Sequence, residues 1–110
     1  MVNGNDSEVE VTSEEFNEIV KKNSLVVANF YAEWHMSCLM ISPVLEDLAE
    51  QMKHVMFIKI NVDENEDLAE KHSVSKMPCL VVFRNGAEIH RITGADSPEV
   101  IEMKIKCCFD

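Results

Sequence analysis

The chain has 110 residues, of which 20 are acidic and 10 basic, for a net charge of −10. That length suits one domain spanning residues 1–110, and the charge excludes nucleic acid and anionic membrane surfaces as natural partners, because the summed field repels both. With 46% hydrophobic residues a core can form without disulfides or a structural metal.

No apolar run nears the roughly 20 residues of a membrane span. The first ten residues are polar and acidic, without a basic start followed by an apolar stretch, so no secretory signal is read there. The expectation is a cytoplasmic monomer with segment 1–7 flexible. Cys38, Cys79, Cys107 and Cys108 are then read as reduced thiols.

In chain order, Val9 and Val11 alternate with Glu10 as a short strand. Thr12-Ser13-Glu14-Glu15 has the spacing of a capping box, and Phe16, Ile19 and Val20 follow at helical period. Leu25 to Tyr31 is a continuous, largely apolar run, as in a strand buried on both faces, with the single polar Asn29 inside it. Leu39 to Met52 has helical spacing, and Pro43 within it is expected to kink rather than end the helix. Val55 to Val62 reads as a strand containing Lys59, and Asn65 to His72 as a short acidic helix. Leu80 to Phe83 and Ile89 to Ile92 form a hairpin around Asn85-Gly86. Gly94 breaks the chain, and Ser97-Pro98 starts a last helix carrying Val100, Ile101 and Ile105. The order β-α-β-α-β-α-β-β-α predicts an α/β fold, a central mixed sheet flanked by helices.

Specific residues carry a resemblance over nearly the whole chain. Ala28-Asn29-Phe30-Tyr31-Ala32-Glu33-Trp34 resembles the strand that enters the thioredoxin active site, and Cys38 matches the second cysteine of Trp-Cys-Gly-Pro-Cys. Pro43 matches the helix-kink proline, Lys59 the central-strand lysine, and Met77-Pro78 the cis-proline. Asn61 to Asn65 resembles the loop that follows the central strand, while Asn85-Gly86 and Gly94 match the hairpin turn and the glycine of the substrate groove. The chain therefore resembles the thioredoxin family. The resemblance implies the thioredoxin fold, disulfide chemistry on cysteine-containing or extended protein partners, a thioredoxin reductase as a further partner, and no cofactor.

The sequence departs from the family pattern in three places. His35 stands in place of the attacking cysteine, Met36-Ser37 in place of Gly-Pro, and Asn29 in place of the buried acid. Disulfide reduction by a dithiol needs one sulfur to attack and a second to release the product. His35 cannot form the first bond, so weak or absent dithiol turnover is expected. Cys38 and His35 remain the catalytic candidates. At i and i+3 on one helix an imidazolium could lower the Cys38 pKa, although a helix N-terminus disfavours a charged histidine.

Cys79, directly after Pro78, is either a small buried residue or a second thiol for Cys38. His35, Cys38 and Cys79 would also be ligands of a kind suited to zinc or an iron–sulfur centre, but the usual ligand signature is missing and no metal is expected. Without an acid at Asn29, Lys59 must reach water, pair with another carboxylate or lose its charge. Cys107-Cys108-Phe109-Asp110 does not suit prenylation.

Two function classes remain open. One is a redox protein with a single working thiol, Cys38. The other is a silent binding module that uses the groove at Trp34, Met77-Pro78 and Gly94, with Met36, Met40 and Met77 as an adaptable apolar rim.

Overall fold

A computed structural model describes residues 8–94 and 96–109; the expectation of flexibility for 1–7 lies outside the described residues. Strands β1 (Glu8–Glu10), β2 (Leu25–Tyr31), β3 (Met56–Asn61), β4 (Cys79–Arg84) and β5 (Ala87–Thr93) form one mixed sheet in the order β1-β3-β2-β4-β5. The first three run parallel to one another, whereas β4 and β5 are antiparallel to their neighbours. Helices α1 (Ser13–Lys22), α2 (Met36–Gln51), α3 (Glu66–Lys71) and α4 (Pro98–Cys108) cover its two faces.

Alternation along each strand sends successive side chains to opposite faces. Val26, Ala28 and Phe30 of β2, Ile58 and Ile60 of β3, and Cys79, Val81 and Phe83 of β4 pack with Phe16 and Val20 of α1 and Leu68 and Ala69 of α3. The intervening residues Val27, Phe57, Leu80 and Val82 pack on the other face with Ile41, Leu45 and Leu48 of α2 and Ile101 and Ile105 of α4. The middle strands are buried on both faces, as their continuous apolar runs indicate.

Local chemistry sets the ends of the helices. At α1 the Thr12 amide donates to Glu15 Oε1 at 3.0 Å, the reach-back expected of a capping box. At α4 the Ser97 hydroxyl accepts from the Val100 amide at 3.3 Å, with Pro98 as the first helical residue. Helix α2 runs from Met36 through Pro43 to Gln51, so His35, expected on the helix with Cys38, stands at its N-cap. Asn85 and Gly86 both have positive φ, 52° and 85°, which the two-residue hairpin turn requires.

Candidate functional site

The Trp34–Cys38 segment bridges β2 and α2. His35 occupies the N-cap of α2 with extended backbone and no side-chain capping bond. Trp34 is 67% exposed, and its indole Nε1 donates to Asp63 Oδ2 at 2.7 Å. The His35 ring lies 5.5 Å from the Trp34 ring at a tilt of 52°, and its Nδ1 is buried without a hydrogen-bond partner. Met36, Leu39 and Met40 are exposed, so an apolar rim surrounds the start of α2.

Cys38 points inward and is 4% exposed. Burial pushes its thiol pKa up, partly countered by a hydrogen bond involving the Ala32 backbone. The Cys38 amide donates to the His35 carbonyl at 3.0 Å, but no hydrogen bond joins the thiol to the imidazole, whose Nδ1 has no partner, so the activating side-chain contact considered from the sequence is not formed.

Beneath Cys38 lies a cavity of about 240 Å³, roofed by Cys38, Leu39 and Ser42 of α2. Its floor is one face of three adjacent strands: Glu8 and Glu10 of β1, Lys59 of β3, and Asn29 and Tyr31 of β2. Registers Glu10↔Lys59 and Lys59↔Asn29 place these polar residues side by side. Asn29 is 4% exposed, and its Nδ2 donates to Glu8 Oε2 at 3.4 Å. The Tyr31 hydroxyl donates to both carboxylate oxygens of Glu10, at 3.0 and 2.8 Å. Lys59 is half-buried among these groups, its charge facing Glu8.

Glu8 itself is only 6% exposed. Burial pushes its carboxyl up to about 7, against the opposing pull of the Lys59 charge and the Asn29 amide. Sequence reading passed over Glu8, because it belonged to an acidic, polar N-terminal stretch. Val9 and Val11 mark the apolar side of β1, and only the docking of α2 makes the Glu8 side a second interior.

Of the groove residues, Pro78 and Gly94 are joined directly. The Met77–Pro78 peptide bond is cis. The Gly94 amide donates to the Pro78 carbonyl at 3.0 Å, with Gly94 at a φ of 93° that suits glycine. Ser37, Met40 and Ile41 line a separate depression of about 280 Å³ against Asp96, Ser97 and Pro98.

Cys79 is not brought to Cys38 as a second thiol. It is paired in register with Phe30 and belongs to the α1/α3 core, whereas Cys38 faces the opposite side of the sheet. Its nearest polar neighbour is Thr93, with Sγ 4.0 Å from the hydroxyl oxygen. The described cysteines are all free thiols. Among the described residues no cluster of three or more His, Cys, Asp or Glu side chains could hold a metal ion. The ligand set of His35, Cys38 and Cys79 considered from the sequence is therefore not assembled.

The family model for thioredoxin matches residues 7–107. This chain belongs to the thioredoxin family. It is 42% identical over 94 residues to thioredoxin-1 of Saccharomyces cerevisiae, an alignment covering 86% of this chain and 90% of that protein. Among solved structures it is similar to mitochondrial thioredoxin 3 of S. cerevisiae in its oxidised form, at a TM-score of 0.85 and 35% identity, covering 96% of this chain and 99% of that one. It is equally similar, at a TM-score of 0.85, 34% identity and the same coverages, to a chain solved for the thiol-resolving mechanism of yeast mitochondrial 1-Cys peroxiredoxin via glutathione/thioredoxin systems. The fold and the thiol–disulfide character of the family are thus established for this chain. Among the described residues no helix is long and apolar enough to cross a membrane.

Proposed function

We propose that this protein is a monothiol member of its family, in which Cys38 forms mixed disulfides with cysteine-bearing protein partners and dithiol turnover is weak or absent. One observation carries the reading: Cys38 is the motif's lone thiol, with His35 at the other motif position and Cys79 facing the opposite side of the sheet. In the step itself Cys38–SH attacks a partner disulfide R–S–S–R′. A Cys38–S–S–R bond forms, the R–S–S–R′ bond breaks, and R′–SH leaves with the proton. Release of R then needs a second thiol from outside, such as glutathione. The likeness to the chain from the 1-Cys peroxiredoxin system supports partners of this chemistry, and a thioredoxin reductase is a further candidate. The free thiols and acidic surface suit the reducing cytoplasm.

The test is adduct mapping with an excess of a small disulfide such as hydroxyethyl disulfide. Tryptic peptide 23–53 contains Cys38 and no other cysteine, so its mass reports that site alone. A single adduct is expected there, forming more slowly than at exposed Cys107 and persisting until an external thiol is added. Insulin reduction by dithiothreitol should proceed at the uncatalysed rate, and His35→Cys should gain turnover. Wild-type turnover matching a dithiol thioredoxin, or no adduct on peptide 23–53, overturns the reading.

A second reading rests on the exposed apolar rim of Trp34, Met36, Leu39 and Met40. Such a surface can hold an extended segment without any thiol step. A partner that binds Cys38→Ala as tightly as wild type would favour it.

A further inference from the structure

Three features of the Cys38 cavity remain unused by the reading above. A carboxyl side chain almost wholly removed from solvent lies on its floor. Two buried acceptor atoms there, Glu8 Oε1 and Asn29 Oδ1, have no hydrogen-bond partner within the protein. The thiol on its roof loses stability as an anion through burial, so it needs a base close by. A carboxyl that carries a proton part of the time answers both needs. Protonation turns Glu8 Oε1 from an unpaired acceptor into a donor toward solvent in the cavity, and its anion supplies the base.

We propose that Glu8 is the proton partner of Cys38: its carboxylate accepts the thiol proton, relayed by solvent in the shared cavity, as the sulfur attacks a partner disulfide. This rests on Cys38 being the exchanging thiol. The sulfur's electron pair makes the new S–S bond, and the pair of the broken bond leaves on the partner's sulfur. The proton held on Glu8 then passes to that departing thiolate or to bulk water. No further reactant is needed, because the partner disulfide is the oxidant. The acid that resembles the family pattern is missing at Asn29, and a carboxyl enters the same space from the neighbouring edge strand instead.

Other groups around the cavity are placed less well for this task. Glu10 of β1 is already engaged by Tyr31 of β2, whose single hydroxyl proton is shared between both carboxylate oxygens. Glu33, just past β2, is exposed at the mouth. Lys59 of β3 favours the Glu8 anion and Glu46 of α2 disfavours it, so Glu8 sits between opposing charges. Burial dominates and leaves its carboxyl titrating at about 7, where a base is most useful at neutral pH. A volume of about 240 Å³ has room for several waters to carry the proton.

The experiment follows the exchange of Cys38 with hydroxyethyl disulfide from pH 5 to 10, read on peptide 23–53. Wild type should show one inflection near pH 7 and a second at the thiol's own, higher pKa. In Glu8→Gln the inflection near 7 should vanish and the rate at pH 7.5 fall about tenfold or more. Asn29→Asp added to Glu8→Gln should restore the lower inflection by returning a carboxyl to the cavity. A Glu8→Gln profile that keeps the inflection, or a drop that is equal at every pH, overturns the proposal while leaving Cys38 as the working thiol. An absence of any Cys38 adduct in wild type would instead remove the monothiol reading. Should Glu8→Gln fail to fold, ¹³C titration of the Glu8 carboxyl decides. It should move near pH 7 and again, more weakly, as Cys38 ionises, with the second step lost in Cys38→Ser; a carboxyl showing neither step overturns the assignment.

Discussion

The two faces of the sheet are built from the same strands, yet they are filled by opposite means. On the α1/α3 face the interior is apolar and aromatic. Phe16 packs 6.0 Å from Phe30 and 5.8 Å from Phe83, and the His72 ring lies 5.0 Å from Phe16. On the α2/α4 face the apolar packing stops short of the motif. There the strands present Glu8, Asn29 and Lys59 to a cavity under Cys38. A one-residue step along β2, from Phe30 to Asn29, crosses from one regime to the other. Both faces hold an apolar core, but only the second leaves part of the sheet to a polar cavity. Strand alternation alone keeps the two apart, and it also separates Cys79 from Cys38.

Phe30→Ala should break the first face most severely. It empties a fully buried aromatic site and should cost about 3–5 kcal/mol in denaturant unfolding. A loss under about 1 kcal/mol would mean that the face is loosely packed.

The second face should reveal itself through pH. A carboxyl raised from 4.5 to about 7 in the folded state binds more protons folded than unfolded throughout that window. Its contribution to stability is therefore largest below 4.5 and is lost as pH rises through 7. His72 acts in the opposite sense. Burial lowers its pKa, so its contribution falls as pH drops below 6.5. The Glu8→Gln difference isolates the first effect. Relative to wild type the variant should gain about 3 kcal/mol on going from pH 4.5 to pH 8. A difference that stays flat with pH would place the Glu8 carboxyl in ordinary solvent.

Cys79→Ser sharpens the separation of faces with a smaller effect. Placing a hydroxyl among apolar neighbours should cost about 1–2 kcal/mol, softened by Thr93 nearby. Cys38 adduct rates should stay within twofold of wild type. A larger change in those rates would show that the two thiols communicate across the sheet.

Much of the fold was legible because its strands are distinctive. The unbroken run of Leu25 to Tyr31, the Asn85-Gly86 turn and the Ser97-Pro98 cap each announce themselves locally, and each forms as read. The start of α2 was legible from the motif to within a residue: His35 was read on the helix and stands at its N-cap, with no side-chain capping bond. The thiol and the missing acid could be read from Cys38, His35 and Asn29, because they depart from a recognisable motif. Glu8 could not. Its burial comes from register, Glu8 opposite Phe57 and Glu10 opposite Lys59, and from a helix 30 residues further along closing over it. Neither of these leaves a trace in the local sequence. Cys79 is the small buried residue of the two readings its sequence offered, and only its nearness to Pro78 in the chain suggested a second thiol for the motif.

The irregularity at the far edge of the sheet has a consequence for how copies of this protein meet. Pairing between β4 and β5 shifts at Val82/Phe83, where His90 and Glu88 are the successive partners and Ile89 is left over. Strand β5 also carries Glu88 and Arg91, which bind one another at 2.9 Å across the outer surface. An incoming strand would find its ladder out of step and a charged pair in its path, on a molecule already bearing ten net negative charges. Growth of the sheet from chain to chain is discouraged at that margin.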